Sequence, residues 1–201
     1  MAQMRDAEVQ KDRMRFRINL ERCGEIMAYE VSREMSYVER NVVTPLGEIF
    51  VPVLEDQPVI GAILRAALPM HQGFLRIFDA ADNAFVSAYR KHTAADHFFI
   101  QIDYVSTADL DDRTLILLDP MIATGKSLVL AYRELTRYGQ PKNVFFCGVI
   151  ASEEGLEYVQ RNVPEARLYV GAVDNELTAK SYIVPGLGDA GDLAYGSKYK
   201  E

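Results

Sequence analysis

The sequence predicts an α/β protein: a mostly parallel, doubly wound sheet with an N-terminal helix, a hairpin arm and a glycine-rich C-terminal segment. Three observations predict it. Apolar runs at Val59–Leu64, Leu115–Leu118 and Val144–Ala151 have the length and continuity of buried strands. Helical patterns alternate with them, as crossover helices do in a parallel sheet. Turn signals separate the two; Gly139 with Pro141 stops the clearest helix, whose apolar residues Leu128, Ala131, Tyr132 and Leu135 recur at helical spacing.

The chain opens with a charged helical pattern from about Asp6 to Met35, whose apolar stripe is read as Met14, Ile18, Cys23, Ile26, Met27 and Val31, with a break expected at Gly24. Arg13, Arg15 and Arg17 are read as a solvated face. Tyr37–Pro52 reads as two strands about the turn Thr44-Pro45-Leu46-Gly47, a hairpin set apart from the sheet and suited to an arm between subunits. Val59–Leu64 leads through the exit loop Arg65–Pro69 to a helix over Met70–Phe78. Ala84–Tyr89 and Phe98–Val105 are strands joined by the loop His92–His97, and Ser106–Arg113 is an acidic turn. After Val144–Ala151, Ser152-Glu153-Glu154 starts a helix with a cap and first-turn acids. Leu168–Val173 is the last core strand. The chain has no internal repeat or linker and is expected to be one domain: residues 1–55 form helix and arm, 56–173 the core sheet, and 174–201 the C-terminal segment.

Composition narrows the function. The 201 residues are 49% apolar and 25% charged, ordinary for a globular chain. Against 29 acids stand 22 Lys and Arg, a formal charge of −7, which disfavours nucleic acid as a partner. Two cysteines, Cys23 and Cys147, give neither a disulfide framework nor a zinc spacing. Met1–Arg17 lacks an apolar signal core, and no run is long enough to span a membrane, so a reducing cytoplasm is the expected compartment. His71, His92 and His97 have no metal-ligand partners at useful spacing and are read as surface or structural.

The chemistry is expected at Leu115–Ser127. The strand ends at Asp119-Pro120, and a loop, Met121–Ser127, enters a helix. A carboxylate therefore stands at the C-terminal end of a strand, with Thr124, Gly125 and Ser127 at a helix N-terminus. Open α/β sheets bind ligands there, and the free amides and dipole favour phosphate. Gly125-Lys126-Ser127 looks like the tail of a nucleotide P-loop, but that motif needs glycine at position 120, which is proline. A carboxylate before the loop suits ribose hydroxyls better than a triphosphate. In the tail, Tyr182–Asp192 sets Pro185, Gly186, Gly188 and Gly191 around two acids. So bent a backbone can present its own N–H and C=O groups to a flat polar ligand such as a pyrimidine edge.

Asp119-Pro120-Met121-Ile122-Ala123-Thr124-Gly125-Lys126-Ser127 resembles the phosphoribosyl-diphosphate loop of the type I phosphoribosyltransferases. It resembles the uracil branch in particular, since purine and orotate members usually carry two adjacent acids there. Tyr182-Ile-Val-Pro-Gly-Leu-Gly-Asp-Ala-Gly-Asp192 is similar to the signature of uracil phosphoribosyltransferases. Ile63-Leu64-Arg65-Ala66, Tyr89-Arg90 and Tyr29-Glu30 extend the likeness over most of the chain. The resemblance implies the type I phosphoribosyltransferase fold with a C-terminal base-binding hood, and the reaction of uracil with phosphoribosyl diphosphate to UMP and diphosphate, assisted by Mg²⁺.

By the same resemblance, Asp119, Pro120, Met121, Ile122, Ala123, Thr124, Gly125, Lys126 and Ser127 hold the ribose 5-phosphate and hydroxyls. Arg65 and Arg90 contact the diphosphate. Ile183, Gly188 and Ala190 pair with uracil mainly through the backbone. Asp189 lies between base, ribose and metal–diphosphate, and Asp189 and Arg65 are the catalytic candidates. No protein metal ligands are assigned, Mg²⁺ arriving chiefly on the diphosphate. The implied partners are the two substrates, a second copy or more of the chain as homodimer or homotetramer, and GTP as a candidate effector, with neither nucleic acid nor membrane. The chain departs from the family pattern at Ala67 and Pro69, where glycines are usual, at Lys126, and at Lys91–Asp96, where an acidic segment is usual. These departures motivate the second reading, a catalytically impaired nucleotide-binding regulator of the same fold.

Overall fold

The structure is a computed structural model describing residues 1–92 and 98–198, with the side chains of 89–92 and 98–100 outside the description. Helix α1 (Ala2–Arg5) and a 3-10 turn (Val9–Lys11) lead into α2 (Arg13–Ser32). Asp12 caps α2 by accepting the Arg15 amide at 3.0 Å. Strands β1 (Tyr37–Thr44) and β2 (Gly47–Leu54) form an antiparallel hairpin paired with nothing but itself, and all of β1 is exposed. The core follows: β3 (Val59–Leu64), α3 (Leu68–Leu75), β4 (Asp82–His92), β5 (Phe98–Ser106), β6 (Thr114–Leu118), β7 (Met121–Ile122), α4 (Lys126–Leu135), β8 (Asn143–Ser152), α5 (Glu153–Asn162) and β9 (Arg167–Asp174). The tail holds β10 (Glu176–Leu177), β11 (Ile183–Val184) and α6 (Ala190–Tyr195).

The central strands run β5-β4-β3-β6-β8, with β9 on the outer edge of β8 and β7 prolonging the line of β6 against β8. Every pairing is parallel except β4 with β5. The chain moves outward from β3 to β4 in one direction and from β6 to β8 in the other. Right-handed crossovers in opposite directions put α3 and α4 on opposite faces. Burial agrees. Ile60, Ala62, Ile116 and Leu118 pack with Met70 and Phe74 of α3, while Val59, Leu115 and Leu117 pack with Leu128, Ala131 and Leu135 of α4. This strict alternation is the period of two of a strand.

The N-terminal helix buries only part of the expected stripe, Met27 and Val31 with Cys23 packed against the core, and its first turns bury another face. Phe16, Leu20, Met27, Ala28 and Val31 face the core, whereas Met14, Ile18 and Ile26 are exposed. The helix also runs unbroken through Gly24. A Cβ there would overlap the Met70 carbonyl, and one at Gly73 would overlap the Glu21 carbonyl. The two glycines let α2 and α3 cross almost backbone to backbone, which turns the buried face toward α3. Pro69 lies in the first turn of α3 rather than in the exit loop, where its preset φ suits a helix start.

His71 on α3 is 2% exposed, and neither ring nitrogen has a hydrogen-bond partner among the described residues. It packs on Phe85 at 5.3 Å between ring centroids. Burial lowers its pKa from the ordinary 6.5, an effect the neighbouring Asn83 amide opposes.

Gly24→Ala and Gly73→Ala are each expected to cost about 1–3 kcal/mol by overpacking, although alanine favours an isolated helix; a lowered urea midpoint at unchanged slope is the readout. Below the ordinary 6.5 the unfolded chain binds a proton that folded His71 resists. Stability is therefore lost as pH falls through that value, until the folded group also titrates. His71→Leu should flatten this dependence in urea titrations run between neutral and mildly acidic pH.

Candidate active site

The strand order reverses between β3 and β6, so the loops leaving their C-terminal ends border one crevice. The last β3 residues paired with β6 are Gly61 with Leu117 and Ala62 with Leu118, which brings Arg65 and Asp119 to the same end of neighbouring strands.

On the β6 side, Asp119 donates its amide to the Cys147 carbonyl at 3.1 Å, and its Oδ1 accepts the Met121 amide at 3.2 Å. The Pro120 carbonyl accepts the amides of Val149 and Ile150 at 3.1 and 3.0 Å, so the proline serves the sheet as an acceptor where it cannot donate. Met121 and Ile122 then pair with Ile150 and Ala151, which corrects the expectation of a loop from Met121. The true loop is Ala123–Gly125. Gly125 has φ +71 and precedes α4, whose start has no side-chain cap. Its amides are therefore left for an anion. A Cβ on Gly125 would lie 2.6 Å from the Gly155 carbonyl, which explains the glycine. Thr124 and Ser127 are partly exposed at the loop, and Lys126 is exposed on the first turn.

Two residues brace this loop in a way no local pattern signals. Buried Ser152 donates its hydroxyl to the Ala123 carbonyl and accepts the Gly155 amide at 2.9 Å. A Cβ at Gly155 would overlap that same Ala123 carbonyl. Ser152 was legible as a helix cap, but its second bond crosses 29 residues and has no local signal.

On the β3 side, Arg65 follows a cis peptide with Leu64. Its Nη2 donates to Asp192 Oδ1 at 2.9 Å and to the Gly196 carbonyl. Its buried Nε has no partner among the described residues. Asp192 is a further acid that the sequence reading noticed but gave no role.

The tail closes over both. A cis Val184–Pro185 bond and positive φ at Gly186 (+61) and Gly188 (+93) fold it back. Asp189 caps α6 by accepting the Asp192 amide at 2.9 Å. The Ala190 amide points at Met121 Sδ, 3.3 Å away, so the phosphate loop and the hood touch. The Ile183 side chain is 4% exposed, in the core beside Leu187, which leaves its main chain for any ligand. Gly188 is exposed and Asp189 partly so. Arg65, Met121, Asp189 and Ala190 are thus gathered at one crevice with Asp119 behind. Arg90 is in β4, paired through its backbone with Ile100, and its side chain lies outside the described residues, as do those of His92 and His97.

An acid before an uncapped helix start and an arginine across the switch point share one crevice at the strand ends, the place where open α/β sheets bind ligands. The family model described as Uracil phosphoribosyltransferase matches residues 1–197. A uracil phosphoribosyltransferase of Porphyromonas gingivalis is 49% identical over 98% of this chain and 91% of its own length. One from Thermococcus gammatolerans is 38% identical over all of this chain and 89% of its own. Among solved structures, the AQ2163 protein of Aquifex aeolicus superposes with a TM-score of 0.85 at 31% identity, covering 92% of this chain and 89% of that one. The chain belongs to the uracil phosphoribosyltransferase family, a family of pentosyltransferases, and has its type I phosphoribosyltransferase fold. No helix of the described residues is long and apolar enough to cross a membrane.

Ser152→Ala is expected to cost about 1–2 kcal/mol of stability by uncapping α5. It should also raise KM for phosphoribosyl diphosphate on the order of tenfold by releasing the Ala123 carbonyl, with KM for uracil little changed. Steady-state kinetics with each substrate varied in turn checks the split.

Proposed function

We propose that this crevice transfers the 5-phosphoribosyl group of phosphoribosyl diphosphate to N1 of uracil, releasing UMP and diphosphate. The contact between Met121 of the phosphate loop and Ala190 of the hood carries the reading, because it sets a phosphoribosyl site and a base site side by side. The amides at the start of α4, with Thr124 and Ser127, hold the 5-phosphate. Asp119 takes the ribose hydroxyls. Arg65, with Arg90, takes the diphosphate.

Breaking the C1–O bond builds positive charge on the sugar and negative charge on the leaving diphosphate. Asp119 and Asp189 oppose the first, and Arg65 stabilises the second in a partly enclosed site. Uracil is a weak acid at N1, so fixed main-chain groups of Ile183, Gly188 and Ala190 suffice to hold it while its N1 proton passes to the leaving diphosphate, which gains basicity as the C1–O bond breaks. Main-chain pairing also rejects an amino-substituted ring, which leaves buried donors unpaired.

The donor chemistry fits Mg²⁺ carried by the substrate: Asp189 and Asp192 offer the hard oxygens that Mg²⁺ takes one or two at a time beside phosphates. Bound there, Mg²⁺ would neutralise charge on the leaving diphosphate.

A homodimer or homotetramer is supported by the exposed hairpin, where Val43 is 75% and Phe50 65% exposed and Leu46 fully so. Residues 1–201 act as one catalytic domain with the tail as hood. Both cysteines are free, consistent with a reducing cytoplasm. The Ala67 and Pro69 departures fall in the cap and first turn of α3, which weakens the case for an impaired regulator.

Purified protein with Mg²⁺, phosphoribosyl diphosphate and uracil is expected to form UMP, and a folded protein that forms none overturns the proposal. Adding GTP to the same assay tests the effector. Arg65→Ala and Asp189→Asn should each lower kcat/KM by about 10²–10³; unchanged turnover in both removes the assigned roles.

A further inference from the structure

Asp174, the last residue of β9, is only 8% exposed although it is a carboxylate. Its two oxygens receive the two terminal nitrogens of Arg5 at 2.7 and 2.8 Å, a bidentate pair across 169 residues of sequence. Oδ2 also accepts the Gly186 amide at 2.8 Å, while Arg5 Nη1 donates to the Gly186 carbonyl at 3.2 Å. Both backbone polar groups of one hood residue are therefore held by this ion pair. Next to it, Gln10 with its amide turned to donate reaches the Leu187 carbonyl at 2.7 Å. Met4 and Leu187 are buried in one apolar cluster beneath. The Arg5 hydrogen bonds, with the Gly186 amide, hold the Asp174 carboxyl below the usual carboxylate range against the opposing effect of burial.

The hood needs this support. Gly186 and Gly188 both sit at positive φ, and glycine is the residue whose backbone loses most entropy on ordering. Recognition by main-chain groups is only as selective as those groups are fixed. A loop that shifts by a fraction of an ångström can re-pair with the wrong base edge. Neither Arg5 nor Asp174 was singled out by any motif.

We propose that the Arg5–Asp174 pair is a positioning and specificity-determining element for base recognition. It locks the Ile183–Ala190 turn in the shape that reads uracil, although neither side chain is placed on substrate. This rests on the reading of Ile183, Gly188 and Ala190 as base contacts.

Asp174→Asn keeps the shape and an acceptor for Gly186 but removes the charge facing Arg5. KM for uracil is expected to rise about tenfold, with kcat and KM for phosphoribosyl diphosphate little changed, and the preference for uracil over cytosine in kcat/KM is expected to fall by a similar factor. Arg5→Lys, which keeps charge but not the fork, should fall between wild type and Arg5→Met. Arg5→Lys and Gln10→Ala carry the same test if Asp174→Asn does not fold. A lowered unfolding midpoint with unchanged uracil KM and unchanged base preference overturns the proposal. Gly188→Ala separates the two layers. If it raises uracil KM while the Arg5 and Asp174 variants do not, the positioning role is wrong and the base site stands; if none of them moves uracil KM, the base site itself is misplaced.

Discussion

β3 is flanked by β4 on one edge and β6 on the other, and the chain leaves these two neighbours in opposite directions. Handedness of the crossovers then forces α3 and α4 to opposite faces, so no helix can cover the ends of both strands. The gap is a topological necessity. It holds Arg65 on one lip and Asp119 on the other, and it exposes the unpaired amides at the start of α4. The strands beneath are buried on both sides, so the lips stand on the packed core of the sheet.

Within that gap, the two halves of the site are joined before any ligand arrives. Arg65 pairs with Asp192 and the Gly196 carbonyl, and Met121 meets the Ala190 amide. These contacts are replaceable. The Arg65–Asp192 side chains are 31% and 39% exposed, and ion pairs so open to water contribute only about 0–1 kcal/mol. An anion of higher charge than one carboxylate can take the guanidinium at small cost, and a sulfur acceptor is readily surrendered by an amide. The arginine is thus held at the crevice without being trapped there.

How far the sequence revealed this depended on distance along the chain. Leu115–Leu118, the stripe Leu128, Ala131, Tyr132 and Leu135, and the turn at Thr44–Gly47 were legible because their signals are local: a run, a period and a turn composition. The bends at Gly125, Gly186 and Gly188 were legible as glycine-bearing motifs, since positive φ and close backbone approach demand glycine. The face buried by the first turns of α2 was not. Met14 and Ile18 are as apolar as Phe16 and Leu20, and only the close crossing at Gly24 and Gly73 decides which pair turns inward. Glycine at position 24 reads as a helix break in isolation; the partner helix that makes it a contact is far away in sequence. Ser152 was legible only as a helix cap and Asp174 not at all, because the bonds that carry their consequences span 29 and 169 residues.

The hood shows why distant bonds matter most where regular structure is least. It consists of a two-residue strand pair, a turn with two glycines at positive φ and a six-residue helix, too little hydrogen-bonded ladder to hold itself. Its order is borrowed. Ile183, Leu187, Ala190 and Ala194 join the apolar cluster under α2. Arg17 donates to the Ala194 carbonyl at 2.7 Å, and Arg5 and Asp174 hold Gly186 from both sides. The first residues of the chain therefore complete the fold of the last, and α1 and α2 are the floor on which the Ile183–Ala190 turn rests.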